Sequence, residues 1–141
     1  MSHTAVILIA LGGPKSLTEV EPFMNAFMGR PAPQPVIDAV TERYRLIGGR
    51  SPLPELVAAQ ATALQRELGS GYRVYPGFQY SAPSIAEAFD TALANGATRV
   101  IGLSMSPYET VVTTGLYREA FTPLGDGKVA KKFIPNWDNH P

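Results

Sequence analysis

The 141-residue sequence contains no cysteine, which excludes disulfide bonds, thiolate metal sites and cysteine-bound iron–sulfur clusters. It also lacks an excess of either charge, because twelve Lys and Arg residues balance twelve Asp and Glu residues. This balance provides no bulk attraction to nucleic acid or to an anionic membrane, so neither is expected as a partner. The longest apolar run, Ala5–Leu11, is too short to span a bilayer or to form a signal-peptide core. The expected location is therefore the cytoplasm.

Histidine is nearly absent as well. The only two, His3 and His140, lie near opposite ends of the sequence. A metal site needs ligands that converge, and the interior offers no spacing of His, Asp and Glu that would supply them. The sequence therefore predicts no metal site, and we expect both histidines to be exposed to solvent.

What the sequence does contain is a regular alternation of apolar runs with helical patterns. The apolar runs predict four strands, at 4–10, 72–78, 99–105 and 132–137. Two of the intervening helices carry capping-box patterns, Thr18 with Glu21 and Ser84 with Glu87. Strands that alternate with helices predict right-handed crossovers, and hence a three-layer α/β sandwich with a roughly four-stranded parallel sheet flanked by helices. The length fits one domain, residues 1–141.

Ligands of such sheets bind outside the carboxyl ends of the strands. This rule selects the loops after the first three strands, at 11–16, 79–84 and 106–114. The sequence therefore predicts a binding site where these loops meet.

The most informative run is RYRLIGGRSPLPELV at 43–57. Gly48 and Gly49 end one helix, and Ser51 is expected to cap the next, with Pro52 at its first position. A cation, a phenol and a helix N-terminus then share one short turn, and helix N-termini bind carboxylates and phosphates. The simpler interpretation is a joint between two helices, with Arg43 in solvent and Tyr44 in the core.

Four stretches of the sequence resemble the ferrochelatases, the enzymes that insert iron into a porphyrin late in haem synthesis. They are ILIALGGP at 7–14, the run from Arg43 through IGG-x-SPL, PGFQYSAPSIAEAF at 76–89 and PYETVVTTGLY at 107–117. They occur in the family's order, and the resemblance covers residues 5–138. The spacing is closest to the shorter bacterial type, whose proposed substrate is coproporphyrin rather than protoporphyrin.

The resemblance implies a chelatase-like fold, and it implies that this chain is the N-terminal domain of such an enzyme. It also implies the residues that contact the porphyrin. Arg43 would fork onto a propionate, beside Tyr44 and Ser51. Leu11 occupies a position where relatives often carry a tyrosine that approaches the metal, and Gln79 a position where they often carry a basic residue. The full predicted substrate-binding set is Leu11, Arg43, Tyr44, Ser51, Gln79 and Tyr117.

The catalytic residues of the family, a histidine in an S-x-H motif and a glutamate, lie in the second half of a longer protein. We therefore predict no catalytic residue in this chain, an inactive isolated chain, and a missing C-terminal domain as its partner. The reaction needs no organic cofactor, since Fe²⁺ is its substrate. Two alternatives are a complete small homodimeric tetrapyrrole chelatase and a non-catalytic tetrapyrrole-binding module.

Overall fold

The computed structural model describes residues 2–141. The strands are β1 (His3–Ala10), β2 (Tyr72–Phe78), β3 (Ala97–Ser104) and β4 (Ala130–Ile134). The helices are α1 (Val20–Met28), α2 (Gln34–Leu46), α3 (Leu53–Leu68), α4 (Ile85–Ala94) and α5 (Leu116–Phe121). A 3-10 turn at Leu17–Glu19 precedes α1, and a π-helical turn at Val111–Gly115 precedes α5. The predicted alternation of strands and helices is confirmed.

The four strands form one parallel sheet in the order β2-β1-β3-β4. The chain crosses from β1 to β2 in one direction and then returns past β1 to β3 and onward to β4. Because right-handed crossovers in opposite directions cover opposite faces, α3 lies on one face and α4 with α5 on the other. This arrangement confirms the predicted three-layer α/β architecture.

Two apolar cores result from this layering. The first lies between the sheet and helices α4 and α5, and it includes Ile7, Ile9, Phe89 and Phe121. The second lies between the sheet and α3, where Val6, Leu8, Ala10 and Phe78 meet Val57 and Ala61. Successive residues of β1 alternate between the two cores, as the twofold period of a strand requires. β1 is therefore buried on both faces.

One of the two predicted capping boxes is absent. Ser84 Oγ accepts a hydrogen bond from Glu87 N (3.0 Å), and Glu87 Oε2 accepts one from Ser84 N (2.9 Å), so this box is confirmed. The Thr18 box is wrong, because α1 begins at Val20 and its start has no side-chain cap. Thr18 lies inside the 3-10 turn, and its Oγ1 instead shares a hydrogen bond with Ser16 Oγ (2.8 Å).

The structure also corrects two smaller predictions. His3 is buried rather than exposed, because β1 begins one residue earlier than predicted and pairs His3 with Ala97. β4 occupies Ala130–Ile134 rather than 132–137, so Trp137 lies outside the sheet. His140 is exposed, as predicted.

Candidate functional site

The loops after β1 and β2 remain joined beyond the ends of their strands. Gln79 N donates a hydrogen bond to Ala10 O (2.9 Å), and Tyr80 N donates one to Leu11 O (3.0 Å). On the other side of β1, Met105 N donates to Ile9 O (2.9 Å). The carboxyl ends of three neighbouring strands therefore form one continuous edge, the location predicted for ligand binding.

The turn between α2 and α3 packs directly on the loop after β1. Ser51 N donates a hydrogen bond to Pro14 O (2.8 Å). A Cβ atom on Gly13 would overlap Cβ and Oγ of Ser51, and it would lie 3.9 Å from the Tyr44 hydroxyl. Gly13 is therefore required for the close approach that brings Tyr44 and Ser51 to the sheet edge.

The predicted cap of α3 is wrong by one residue, because the N-cap is Pro52, which makes no side-chain hydrogen bond, and the residue just before it is Ser51. Ser51 is 7% exposed, and its Oγ accepts a hydrogen bond from Leu53 N (3.2 Å). The helix begins at Leu53, with Pro52 immediately before it. Gly48 and Gly49 adopt positive φ angles of 104° and 84°, as the predicted helix break requires. The α3 N-terminus therefore points toward the loop after β1.

Arg43 is exposed on the last turn of α2. No carboxylate of residues 2–141 lies within ion-pair distance of its guanidinium. Two residues further along the same helix, Arg45 does form an ion pair, with Glu42. Arg43 therefore presents its donors to solvent at the end of α2, where they are free to bind an anionic ligand.

An aromatic cluster lies along the first of two clefts at this edge. Phe27 and Tyr80 have ring centroids 5.5 Å apart in an edge-to-face arrangement, and Phe23 lies 6.2 Å from Tyr80. Phe27 is 53% exposed, which is high for a phenylalanine. The cleft has a volume of about 230 Å³ and is lined by Gly13, Pro14, Lys15, Glu19, Pro22, Phe23, Tyr80, Ser81 and Ala82. It combines aromatic surface with backbone polar groups.

The second cleft lies against the start of α3. It has a volume of about 320 Å³ and is lined by Lys15, Arg50, Ser51, Pro54, Glu55 and Ala58. Lys15 lines both clefts, and its Nζ donates a hydrogen bond to Ala82 O (2.7 Å). Arg50 forms an exposed ion pair with Glu55 (2.9 Å). The mainly apolar cleft is thus bordered by Lys15 and by the Arg50–Glu55 ion pair, so an acidic substituent of an apolar ligand would meet Lys15 or compete with Glu55 for Arg50.

Two further predicted residues lie at the ends of the strands. Leu11 is half-buried and packs against the core beneath α4 and α5. Gln79 follows β2, and its Oε1 atom is buried without a hydrogen-bond partner among the described residues. Burying an acceptor without a donor lowers the stability of the fold. The Gln79 side chain is therefore able to accept a hydrogen bond from a ligand at this edge.

Tyr117 lies in the core rather than on the surface of the site. Its side chain is 2% exposed and packs in the cluster with Phe89 and Phe121. Burial, and to a smaller extent the charge of the nearby Tyr80 phenolate, together raise the pKa of the Tyr117 phenol to about 12. Tyr117 is therefore neutral at physiological pH.

The loop after β3 is the most exposed apolar part of this edge. Tyr108, Val111 and Val112 are 65%, 85% and 71% exposed. Hydrogen bonds within the loop hold its shape, since Thr114 Oγ1 accepts from Thr110 N and donates to Thr110 O, both at 2.7 Å. Trp137 braces the base of the loop through a hydrogen bond from its Nε1 to Ser104 O (2.8 Å).

Within residues 2–141 no three His, Asp or Glu side chains converge to hold a metal ion. The helices of this same range include none with the length and apolarity needed to cross a bilayer.

The structure brings together Tyr44 and Ser51, and it joins the loops that carry Leu11 and Gln79. It leaves Arg43 in solvent and Tyr117 in the core. Sequence reasoning missed Lys15, Arg50 and the aromatic cluster. The signals for them were Lys15 directly after Gly-Gly-Pro and the four-residue spacing of Phe23 and Phe27, which places both rings on one face of a helix.

Comparison with known proteins gives consistent results. A family model described as ferrochelatase matches residues 3–141. The chain is 37% identical to the ferrochelatase of Geotalea daltonii over an alignment of 158 positions, which covers 98% of this chain and 50% of that protein. It is 41% identical to the ferrochelatase of Geobacter metallireducens over 129 residues, which cover 79% of this chain and 41% of that protein.

A more distant relative matches in the same way. The chain is 31% identical to the ferrochelatase of Deinococcus radiodurans over an alignment of 143 positions, which covers 96% of this chain and 45% of that protein. The chain thus spans about half the length of the curated relatives it matches, and the matched half is the N-terminal one.

Proposed function

The chain belongs to the ferrochelatase family, and from this we propose that residues 1–141 form one domain, the N-terminal part of an enzyme that inserts Fe²⁺ into a porphyrin. In this proposal the reaction is a step of haem biosynthesis, catalysed by a lyase in the cytoplasm. Fe²⁺ is a substrate, the reaction releases two protons from the porphyrin nitrogens, and no organic cofactor takes part. The porphyrin is coproporphyrin or protoporphyrin.

The observation that carries this proposal is the pair of clefts that meet at Lys15. One presents Phe23 and Tyr80, and the other presents Arg50 and the start of α3. A porphyrin is a flat apolar macrocycle with carboxylate substituents, so it needs aromatic surface for the ring and donors for the acids. The clefts provide both within one edge of the sheet.

Each predicted site residue then has a physical task. Arg43 binds a propionate through its guanidinium fork, and Ser51 with the α3 N-terminus holds the same carboxylate or an adjacent one. Tyr44 packs against the ring margin with its hydroxyl toward the loop after β1. Gln79 supplies an amide to the polar centre of the substrate, and Leu11 and Tyr117 support the apolar side of the ring.

The groups that accept the two pyrrole protons belong, in this proposal, to the C-terminal domain of the full-length protein. This chain binds and orients the porphyrin, and catalysis requires the other domain. The isolated 141-residue chain is accordingly expected to show no metal insertion above the uncatalysed rate.

Titration of the isolated chain with porphyrin and with Fe²⁺ or Zn²⁺ tests this division of labour. Metal insertion by the isolated chain would favour a complete small homodimeric chelatase instead. Tight porphyrin binding with no insertion by the full-length protein would favour a non-catalytic tetrapyrrole-binding module.

The sharper experiment concerns Arg43 in the full-length protein. Arg43→Ala is expected to weaken porphyrin binding by about 1.5–3 kcal/mol, the range for a hydrogen bond to a charged group. Arg43→Lys should restore the affinity only in part, because a point charge cannot reproduce the two-pronged contact. Fluorescence quenching titration measures both affinities.

The matched control is Arg45→Ala, which removes the same side chain from the same helix but from an ion pair with Glu42. It should leave the affinity nearly unchanged. A porphyrin ester, which lacks carboxylates, should bind the wild type and Arg43→Ala equally. Equal losses for acid and ester would mean that the run at 43–57 is only a joint between helices.

A further inference from the structure

The sheet face that carries α3 is only partly covered. α3 packs mainly over β2, with a smaller contact to β1. The residues of β3 that point to this face, Ile101 and Leu103, remain half-buried, as does Ile134 of β4. By contrast, Val100 on the opposite face of β3 is completely buried. A strip of pleated apolar surface therefore lies open beside α3.

The strand order explains why this part of the sheet face has no helix over it. Every connection between the four strands already lies elsewhere, since the β1–β2 connection covers β2 and the two later connections cover the opposite face. No further helix of residues 2–141 is free to cover β3 and β4 on the α3 face. The cover must therefore come from outside these residues.

The strip has a basic end and an apolar end. In the β3–β4 ladder, Ile101 lies beside Lys132, and Leu103 lies beside Ile134. Toward the amino ends of the strands a groove of about 250 Å³ is lined by Arg99, Ile101, Ala130, Lys131 and Lys132. Within the described chain neither Arg99 nor Lys132 has a carboxylate at ion-pair distance. Lys131 points to the other face, where its Nζ donates to the carbonyl oxygens of Thr122 and Leu124.

We propose that the open strip, defined as Arg99, Ile101, Leu103, Lys132 and Ile134, is the docking surface for an amphipathic helix from the remaining half of the full-length protein. The apolar face of this helix packs on Leu103 and Ile134, and its acidic side chains pair with Arg99 and Lys132. The proposal rests on the proposed function in one respect, namely that the full-length protein has about twice the length of this chain, as its relatives do.

The pleated surface is covered by another layer and not by an added strand, and in this α/β architecture that layer is a helix. Apolar side chains on a sheet face are covered by packing of another layer, whereas strand addition uses the free N–H and C=O groups of an edge. The two unpaired cations at one end of the strip indicate the charge of the docked helix. They attract carboxylate side chains on that helix and would repel a basic segment.

The absence of cysteine from this chain provides a direct test. Ala130 is exposed and lines the groove, so Ala130→Cys places one thiol on the strip. Ala94→Cys is the matched control, since Ala94 is an exposed alanine at the end of α4 on the opposite face. Both variants are made in the isolated chain and in the full-length protein, after any cysteines of the remaining half have been replaced by serine.

In the Ala130→Cys variant, alkylation of the thiol by a maleimide is expected to be slower by about tenfold or more in the full-length protein than in the isolated chain. The thiol of the Ala94→Cys variant should react at the same rate in both. Adding Arg99→Glu with Lys132→Glu should restore fast alkylation of the Ala130→Cys variant. Adding Arg66→Glu, a reversal on the exposed side of α3, should not.

Equal alkylation rates for the Ala130→Cys variant in the two proteins would overturn the proposal. So would protection that appears in the isolated chain only at high concentration together with a dimeric mass, because the occupant would then be a second copy. Metal insertion by a full-length Ala130→Cys protein whose thiol is unprotected would refute the docking surface alone. A full-length protein without a further half would refute the proposed function and this surface together.

Discussion

The two faces of the sheet differ in how completely they are closed. Beneath α4 and α5, the side chains of Ile7, Ile9 and Val100 are fully buried. On the α3 face, Leu8 of β1 is 1% exposed, but Ile101 of β3 is only half-buried. The same sheet thus has fully buried apolar side chains on the α4–α5 face and partly exposed ones on the α3 face. The comparison indicates that the isolated chain has its stability concentrated on the α4–α5 face.

The largest expected difference between the faces comes from one matched pair of substitutions. Ile9→Ala removes a fully buried side chain and should lower the free energy of unfolding by about 2–5 kcal/mol. Ile101→Ala makes the same chemical change on the open strip and should cost about 1 kcal/mol in the isolated chain, because water already reaches the side chain. Urea unfolding followed by circular dichroism measures both.

In the full-length protein the cost of Ile101→Ala should rise toward that of Ile9→Ala, since the docked helix buries the side chain. Similar costs for the two substitutions in the isolated chain would mean that the faces are equally closed, and the comparison would fail.

The second-largest expected effect is a loss of stability at alkaline pH, which arises from Tyr117 in the core beneath α4 and α5. The pKa of Tyr117 is raised from 10.0 to about 12 in the folded protein, chiefly by burial. Its contribution to stability is therefore complete below pH 10 and is lost as the pH rises toward 12, because the unfolded chain ionises first. The expected loss is about 2–3 kcal/mol, from two pKa units at about 1.4 kcal/mol each.

Urea unfolding at pH 9 and pH 11.5 tests this dependence. Tyr117→Phe should remove most of the alkaline loss, whereas Tyr72→Phe, at a position 37% exposed on the edge strand β2, should leave it unchanged. If the Tyr117→Phe variant loses as much stability at alkaline pH as the wild type, groups other than Tyr117 cause the loss.

The smallest expected effect concerns the start of α4, the helix that closes the first face. Ser84→Ala removes a complete capping box and should cost about 1 kcal/mol. Thr18→Ala changes a residue with the same sequence pattern but without the box, and it should cost within about 0.5 kcal/mol. Thermal unfolding of the isolated chain measures both, and equal costs would contradict the structural difference between the two helix starts.

These two capping patterns show how far local sequence determines structure. Ser84 and Glu87 form the box that their spacing predicts, because Ser84 is the N-cap residue of α4 and Glu87 is at its third position. Thr18 instead lies in a 3-10 turn that delays the start of α1 to Val20, and its hydroxyl shares a hydrogen bond with Ser16 Oγ. A pattern of residues indicates a cap, but a competing hydrogen bond decides whether it forms.

The candidate site was predicted in part for the same reason. The turn at Gly48–Ser51 follows from glycine, serine and proline preferences that act within a few residues. The contact of Ser51 with Gly13 joins segments far apart in sequence and depends on how α3 packs on the sheet. The roles of Leu11, Arg43, Tyr44, Ser51, Gln79 and Tyr117 in substrate binding remain predictions.

The sequence by itself determined the alternation of strands and helices, the parallel sheet and the resemblance to the ferrochelatases, because periodicity and short motifs act over a few residues. Only the tertiary structure decided the strand order, the meeting of two clefts at Lys15 and the half-covered face. These features arise from the direction and handedness of the crossovers, which bring distant segments together and leave β3 and β4 without a helix on the α3 face.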